Sequence, residues 1–187
     1  MNSLWTMLSS LLVIVLAGCG TASGDSGTPP FEAIDQNGDP VTEADYEGKT
    51  LLVDFIFTSC ETVCPPMTFR MAKVQQMLEE KGLQNQVELI SFSIDPQIDT
   101  PENLKEFIGR FTQDESNWTL LTGYSQSFIE NYAVDEFGVL VKKPANDDQV
   151  IHGTSFILIS PSGDIVDDYS GVMDTPYDEI LEDIQSI

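Results

Sequence analysis

The sequence predicts one three-layer α/β domain around a central mixed β-sheet, and three observations carry that expectation. Two segments, "KTLLVDFIFT" and "VELISFSI" from Val87 to Ile94, are apolar and β-branched on both faces, as buried central strands are. Between them Met67, Met71, Val74 and Leu78 recur at helical spacing. Near the C-terminus "TSFILIS" and "DIVDDYS" flank "PSG", a tight turn that makes them an antiparallel hairpin at one side of the sheet. A chain of 187 residues has room for about one such domain and an N-terminal extension.

The extension reads as two pieces. Residues 1–18 contain the apolar core Leu11 to Leu16, too short to span a bilayer and followed by small residues, which is the pattern of a secretory signal even without a preceding Lys or Arg. Residues 19–30, including "TASGDSGTPP", are small, polar and rich in Gly and Pro, a flexible tether. The folded domain is then expected over 31–187. It opens with a hairpin at Asn37-Gly38 in "FEAIDQNGDPVT". After the first central strand, the helix over "PPMTFRMAKVQQMLEEKG" stops at Gly82. Thr100 caps a second helix with Pro101 at its first position, "SQSFIENYAVDEF" forms a third, and a last helix covers Tyr177 to Ile184. This alternation of strands and helices fits a thioredoxin-like sandwich best.

Charge excludes some functions. The formal net charge is −23, with 31 acidic residues against 8 basic ones, so phosphate backbones and anionic lipid are repelled. Nucleic-acid binding is not expected, and attachment to a membrane has to be covalent. The acidity itself reads as a well-solvated surface.

The chemistry lies in "FTSCETVCPPM", residues 57–67. Cys60 and Cys64 stand in a strand-to-helix loop, where unpaired N–H groups at the helix N-terminus stabilise thiolate. Pro65 is expected to keep Cys64 out of helical geometry and to begin the helix itself. Two uses remain open for such a pair, a reversible disulfide or a soft-metal site. Metal needs a third ligand, and the chain has a single histidine, His152, just before a core strand. In a thioredoxin-like arrangement the loop before that strand passes over the cysteine loop. Two thiolates and an imidazole suit copper, sulfur for Cu(I) and nitrogen for Cu(II), whereas structural zinc wants a fourth strong ligand. Met67 and Met71, also possible soft ligands, are expected in the core instead.

With "GKTLLVDFIFTSCETVCPPM", "SFSIDPQIDTPENLKEF" and His152 ahead of "TSFILISPSGDIVDDYSG", the chain resembles the Sco/SenC family over roughly residues 31–186. These are thioredoxin-fold copper proteins needed to assemble cytochrome c oxidase. The resemblance implies Cys60, Cys64 and His152 as copper ligands, Asp95 as an acidic group near the metal, and transfer of copper to the dinuclear site of the oxidase's copper-bearing subunit. It also implies that Cys60 and Cys64 can form a disulfide and reduce the target's cysteines. The family usually has an acidic residue where Ile151 precedes His152, so the group that orients the imidazole here is left open. "LAGC" at 16–19 resembles a bacterial lipobox, which implies lipid on Cys19 and a place on the outer face of the cell membrane. The rival expectation is a membrane-anchored thiol–disulfide oxidoreductase or peroxidase-like enzyme. Against it, redox thioredoxins use C-x-x-C and carry a cis-proline where Thr154 aligns, so an enzyme is not the expectation.

Overall fold

The computed structural model describes residues 27–144 and 150–187. The expected signal segment 1–18, Cys19 and the expected tether as far as residue 26 lie outside the described residues. Seven strands form a single sheet, β1 (Glu32–Asp35), β2 (Pro40–Thr42), β3 (Thr50–Ile56), β4 (Val87–Ser93), β5 (Trp118–Thr122), β6 (Ser155–Ile159) and β7 (Ile165–Ser170). Their order is β2-β1-β5-β4-β3-β6-β7. The helices are α1 (Cys64–Lys81), α2 (Pro101–Ile108), α3 (Gln126–Phe137) and α4 (Tyr177–Ser186).

The sheet is mixed because its connections are of two kinds. β3, β4 and β5 run parallel, joined by α1 and α2. A parallel return needs such a crossover. The β1–β2 and β6–β7 hairpins add antiparallel edges. Both turn on a glycine with positive φ that donates its N–H three residues back, Gly38 (φ 88°) to Asp35 and Gly163 (φ 84°) to Ser160. Asp35 Oδ1 holds the first turn further by accepting from the N–H groups of Asn37 and Asp39, both at 2.8 Å.

The central position of β3 explains its composition, since all seven of its residues are buried. Phe55 and Phe92 are paired in register on one face and stack at 5.8 Å, where Tyr132 and Phe137 of α3 cover them. Met67 and Met71 are fully buried in the core, as their helical spacing suggests.

Two expectations are corrected. β5 has no counterpart in the sequence reading, because "WTLLT" is five residues long and too short to show a period, yet it lies near the middle of the sheet between β1 and β4. Helix α1 begins at Cys64 rather than after it. Pro65 and Pro66 have no N–H to leave unpaired, and the Cys64 N–H finds an acceptor in the Cys60 sulfur at 3.4 Å, so the helix extends one residue earlier.

Candidate metal centre

The ends of β3 and α1 and the segment before β6 converge on one point. The Cys60 sulfur, the Cys64 sulfur and a ring nitrogen of His152 all lie within 4.8 Å of one another. Both cysteines are free thiols and buried, Cys60 at 5% exposure and Cys64 at 0%. The His152 Nε2 is 3.5 Å from Cys64 Sγ.

The imidazole is oriented by its own chain. Nδ1 lies 2.6 Å from the Gly153 carbonyl oxygen, which can only accept, so Nδ1 donates to it and Nε2 is the nitrogen turned toward the sulfurs. Phe57 packs edge-on against the ring at 5.5 Å. A backbone carbonyl and an aromatic wall thus do what the family's acidic neighbour was expected to do, and Ile151 is free to be apolar.

The two sulfurs are electrostatically unequal. Cys60 accepts from the Cys64 thiol, and from the backbone around Thr62 to Cys64, which outweighs its burial and lowers it to about 4. Cys64 moves the other way: it donates that hydrogen bond, and burial and the neighbouring negative groups raise it further. The pair therefore shares one proton readily lost from Cys60 and one strongly retained on Cys64. A cation bound between them takes the place of that second proton.

Asp95 does not join the cluster. Its carboxylate pairs with Lys143 at 2.5 Å, on the segment leading back to His152. The sequence reading missed a second acid, Asp99, which holds the cysteine loop in place. It accepts from the Thr58 N–H at 3.1 Å, the Thr58 hydroxyl at 2.5 Å and the Ser93 hydroxyl at 2.6 Å, tying the loop to the end of β4. Burial raises its carboxyl and these three donors oppose the rise. An acid between a strand end and the Thr100 cap in "SIDPQIDT" was its only sequence signal.

A thioredoxin-like sandwich with two thiols at a helix N-terminus and a histidine facing them defines a class of metal-binding thiol proteins. This chain belongs to the SCO1/SenC family, whose model matches residues 20–187. The structure superimposes with a TM-score of 0.81 on a SCO1/SenC family lipoprotein from Bacillus anthracis, 50% identical, covering 85% of this chain and 93% of that one. BsSco, a Sco family cytochrome c oxidase assembly protein with a disulfide switch, gives 0.77 at 46% identity over 85% and 91% of the two chains. Arabidopsis thaliana ScoI, solved with copper bound, gives 0.71 at 27% identity over 86% and 99%.

Proposed function

We propose that this protein binds one copper ion through Cys60, Cys64 and His152 and hands it to the dinuclear copper site in the copper-bearing subunit of cytochrome c oxidase. The observation that carries this reading is the convergence of three soft or borderline donors within 4.8 Å at a buried point. Two sulfurs hold Cu(I), and the imidazole completes a site that also accepts Cu(II). Among the described residues no fourth His, Cys or carboxylate joins the cluster, which is unlike a closed structural zinc site. Delivery proceeds by ligand exchange, each Cu–S bond to this protein replaced by one to the target. The copper-bound and oxidase-assembly relatives support the assignment.

Unequal thiols support a second use of the same pair. The Cys60 thiolate attacks a disulfide of the target, and Cys64, once it has lost its proton, attacks Cys60 Sγ. The target leaves with both cysteines reduced and Cys60–Cys64 is oxidised. The protein acts from the extracytoplasmic face of a bacterial cell membrane, held there by lipid on Cys19. No helix among the described residues is long and apolar enough to cross a membrane.

Reduced protein is expected to bind about one copper ion with strong sulfur-to-Cu(II) charge transfer. His152→Ala should lose most Cu(II) affinity while Cu(I) binding and disulfide formation persist. A variant that kept the wild-type Cu(II) spectrum but lost thiol–disulfide exchange would replace the copper assignment with the oxidoreductase one. For the anchor, Cys19→Ser should move the protein from the membrane to the soluble fraction; retention after a high-salt wash rules the lipid out.

A further inference from the structure

His152 is held differently from the two sulfurs. Cys60 and Cys64 stand at the start of an 18-residue helix, whereas His152 lies outside any helix or strand. The residue before it, Ile151, exchanges both backbone hydrogen bonds with Lys142, each at 2.9 Å. Whatever fixes Lys142 and Lys143 therefore helps fix the backbone that carries the imidazole.

Two acids on two different elements do so. Glu130 of α3 accepts from Lys142 Nζ at 2.6 Å and from the Lys143 N–H at 2.9 Å. Asp95, just beyond β4, accepts from Lys143 Nζ at 2.5 Å. These contacts differ in weight. The Lys142 side chain is 60% exposed, and an ion pair of that kind contributes little. Asp95 is 2% exposed and Lys143 23%, so separating them would leave a buried charge without a partner, which is strongly unfavourable. In a chain this acidic, two adjacent lysines both engaged by buried or half-buried carboxylates fix the position of Lys142 and Lys143 themselves.

We infer that Lys143 with Asp95, and secondarily Lys142 with Glu130, form a clamp that positions His152 over the Cys60–Cys64 pair and thereby sets the affinity of the centre for Cu(II). The inference rests on the copper reading above. It makes Asp95 a positioning residue that acts through Lys143 and the Lys142–Ile151 bridge, with no contact to the metal. Cu(I), which two sulfurs hold without nitrogen, is indifferent to the clamp.

Lys143→Met keeps the apolar stem and removes the charge. It should speed hydrogen exchange of the Ile151 amide in the metal-free protein and lower Cu(II) affinity about tenfold or more, with Cu(I) affinity changed less than about twofold. Lys143→Arg should restore both. Because Lys143→Met leaves Asp95 buried alone, Lys143→Met/Asp95→Asn is measured beside it, and this folded double variant should show the same two losses. Wild-type Ile151 exchange or wild-type Cu(II) affinity in a folded variant overturns the clamp. Wild-type protein that binds no copper overturns the functional reading instead, and Ile151 exchange in the metal-free variants still decides whether the clamp positions the segment.

Discussion

Asp54 is a carboxylic acid held far from its ordinary state. It lies in the middle of β3, paired across the sheet with Ser91, wholly buried, and neither carboxylate oxygen has a hydrogen-bond partner. Burial raises it from 3.8 to about 7; the Ser91 hydroxyl opposes the shift without making an aligned bond. The fold therefore prefers the neutral acid. Its cost is absent below the unfolded value near 4, grows as pH rises, and is complete above about 7. Asp54→Asn is neutral throughout, so it should match the wild type in stability at pH 4 and exceed it at pH 8 by up to about 4 kcal/mol, three units at about 1.4 each. Chemical denaturation at the two pH values checks this, and a gain of equal size at both would mean that charge is not the cause. The thiols give a second expectation at this scale. Alkylation of the reduced, metal-free protein should modify Cys60 before Cys64, at a rate that holds from neutral pH down to about 5 and falls through about 4; mass mapping of the first adduct decides it.

At the scale of elements, the metal centre depends on three chain segments kept in place by polar contacts that periodicity does not reveal. Asp99 ties the cysteine loop to β4 through Thr58 and Ser93. Asp99→Ala leaves a backbone N–H and two hydroxyls without their acceptor, and should cost about 2–4 kcal/mol. A melting temperature at the wild-type value would show that the loop is held by its neighbours alone. Helix α1 is held instead by apolar burial. Met71 is fully buried, and Met71→Ala should cost about 2–5 kcal/mol with copper binding retained, since this sulfur packs in the core about two turns of α1 beyond Cys64. Loss of copper stoichiometry in folded Met71→Ala would return the methionines to the ligand set. The helices were legible because their signals are local: Thr100 accepts from the Asn103 N–H at 3.3 Å, and Gly82 ends α1 at φ 72°. β5 was not, because a five-residue strand shows its identity only through the neighbours it pairs with.

For the whole molecule, the net charge of −23 outweighs any individual ion pair. Salt weakens both the repulsion among 31 acidic residues and the attraction within pairs such as Arg110–Glu106, which is 59% and 73% exposed. Exposed pairs contribute at most about 1 kcal/mol each, so relief of repulsion wins and the melting temperature should rise between 0.05 and 1 M salt, both values being about where the Debye length shrinks from over 10 Å to about 3 Å. A fall would mean that the ion pairs dominate. The sequence alone determined the α/β class, the Thr100 cap and Gly82 stop, the hairpin turns and the C-x-x-x-C pair, because each depends on residues within a few positions of one another. It also marked His152, by scarcity and by its place before β6. Only the tertiary structure decided that His152 and Cys64 meet at 3.5 Å, that Gly153 orients the imidazole, and that Asp95 and Asp99 hold loops rather than line the cluster. The Gly153 contact is local, but the others depend on residues brought together from afar, Cys64 and His152 being 88 positions apart, Asp95 and Lys143 48, and Thr58 and Asp99 41, and their geometry follows from how the sheet stacks its strands, which no local pattern encodes.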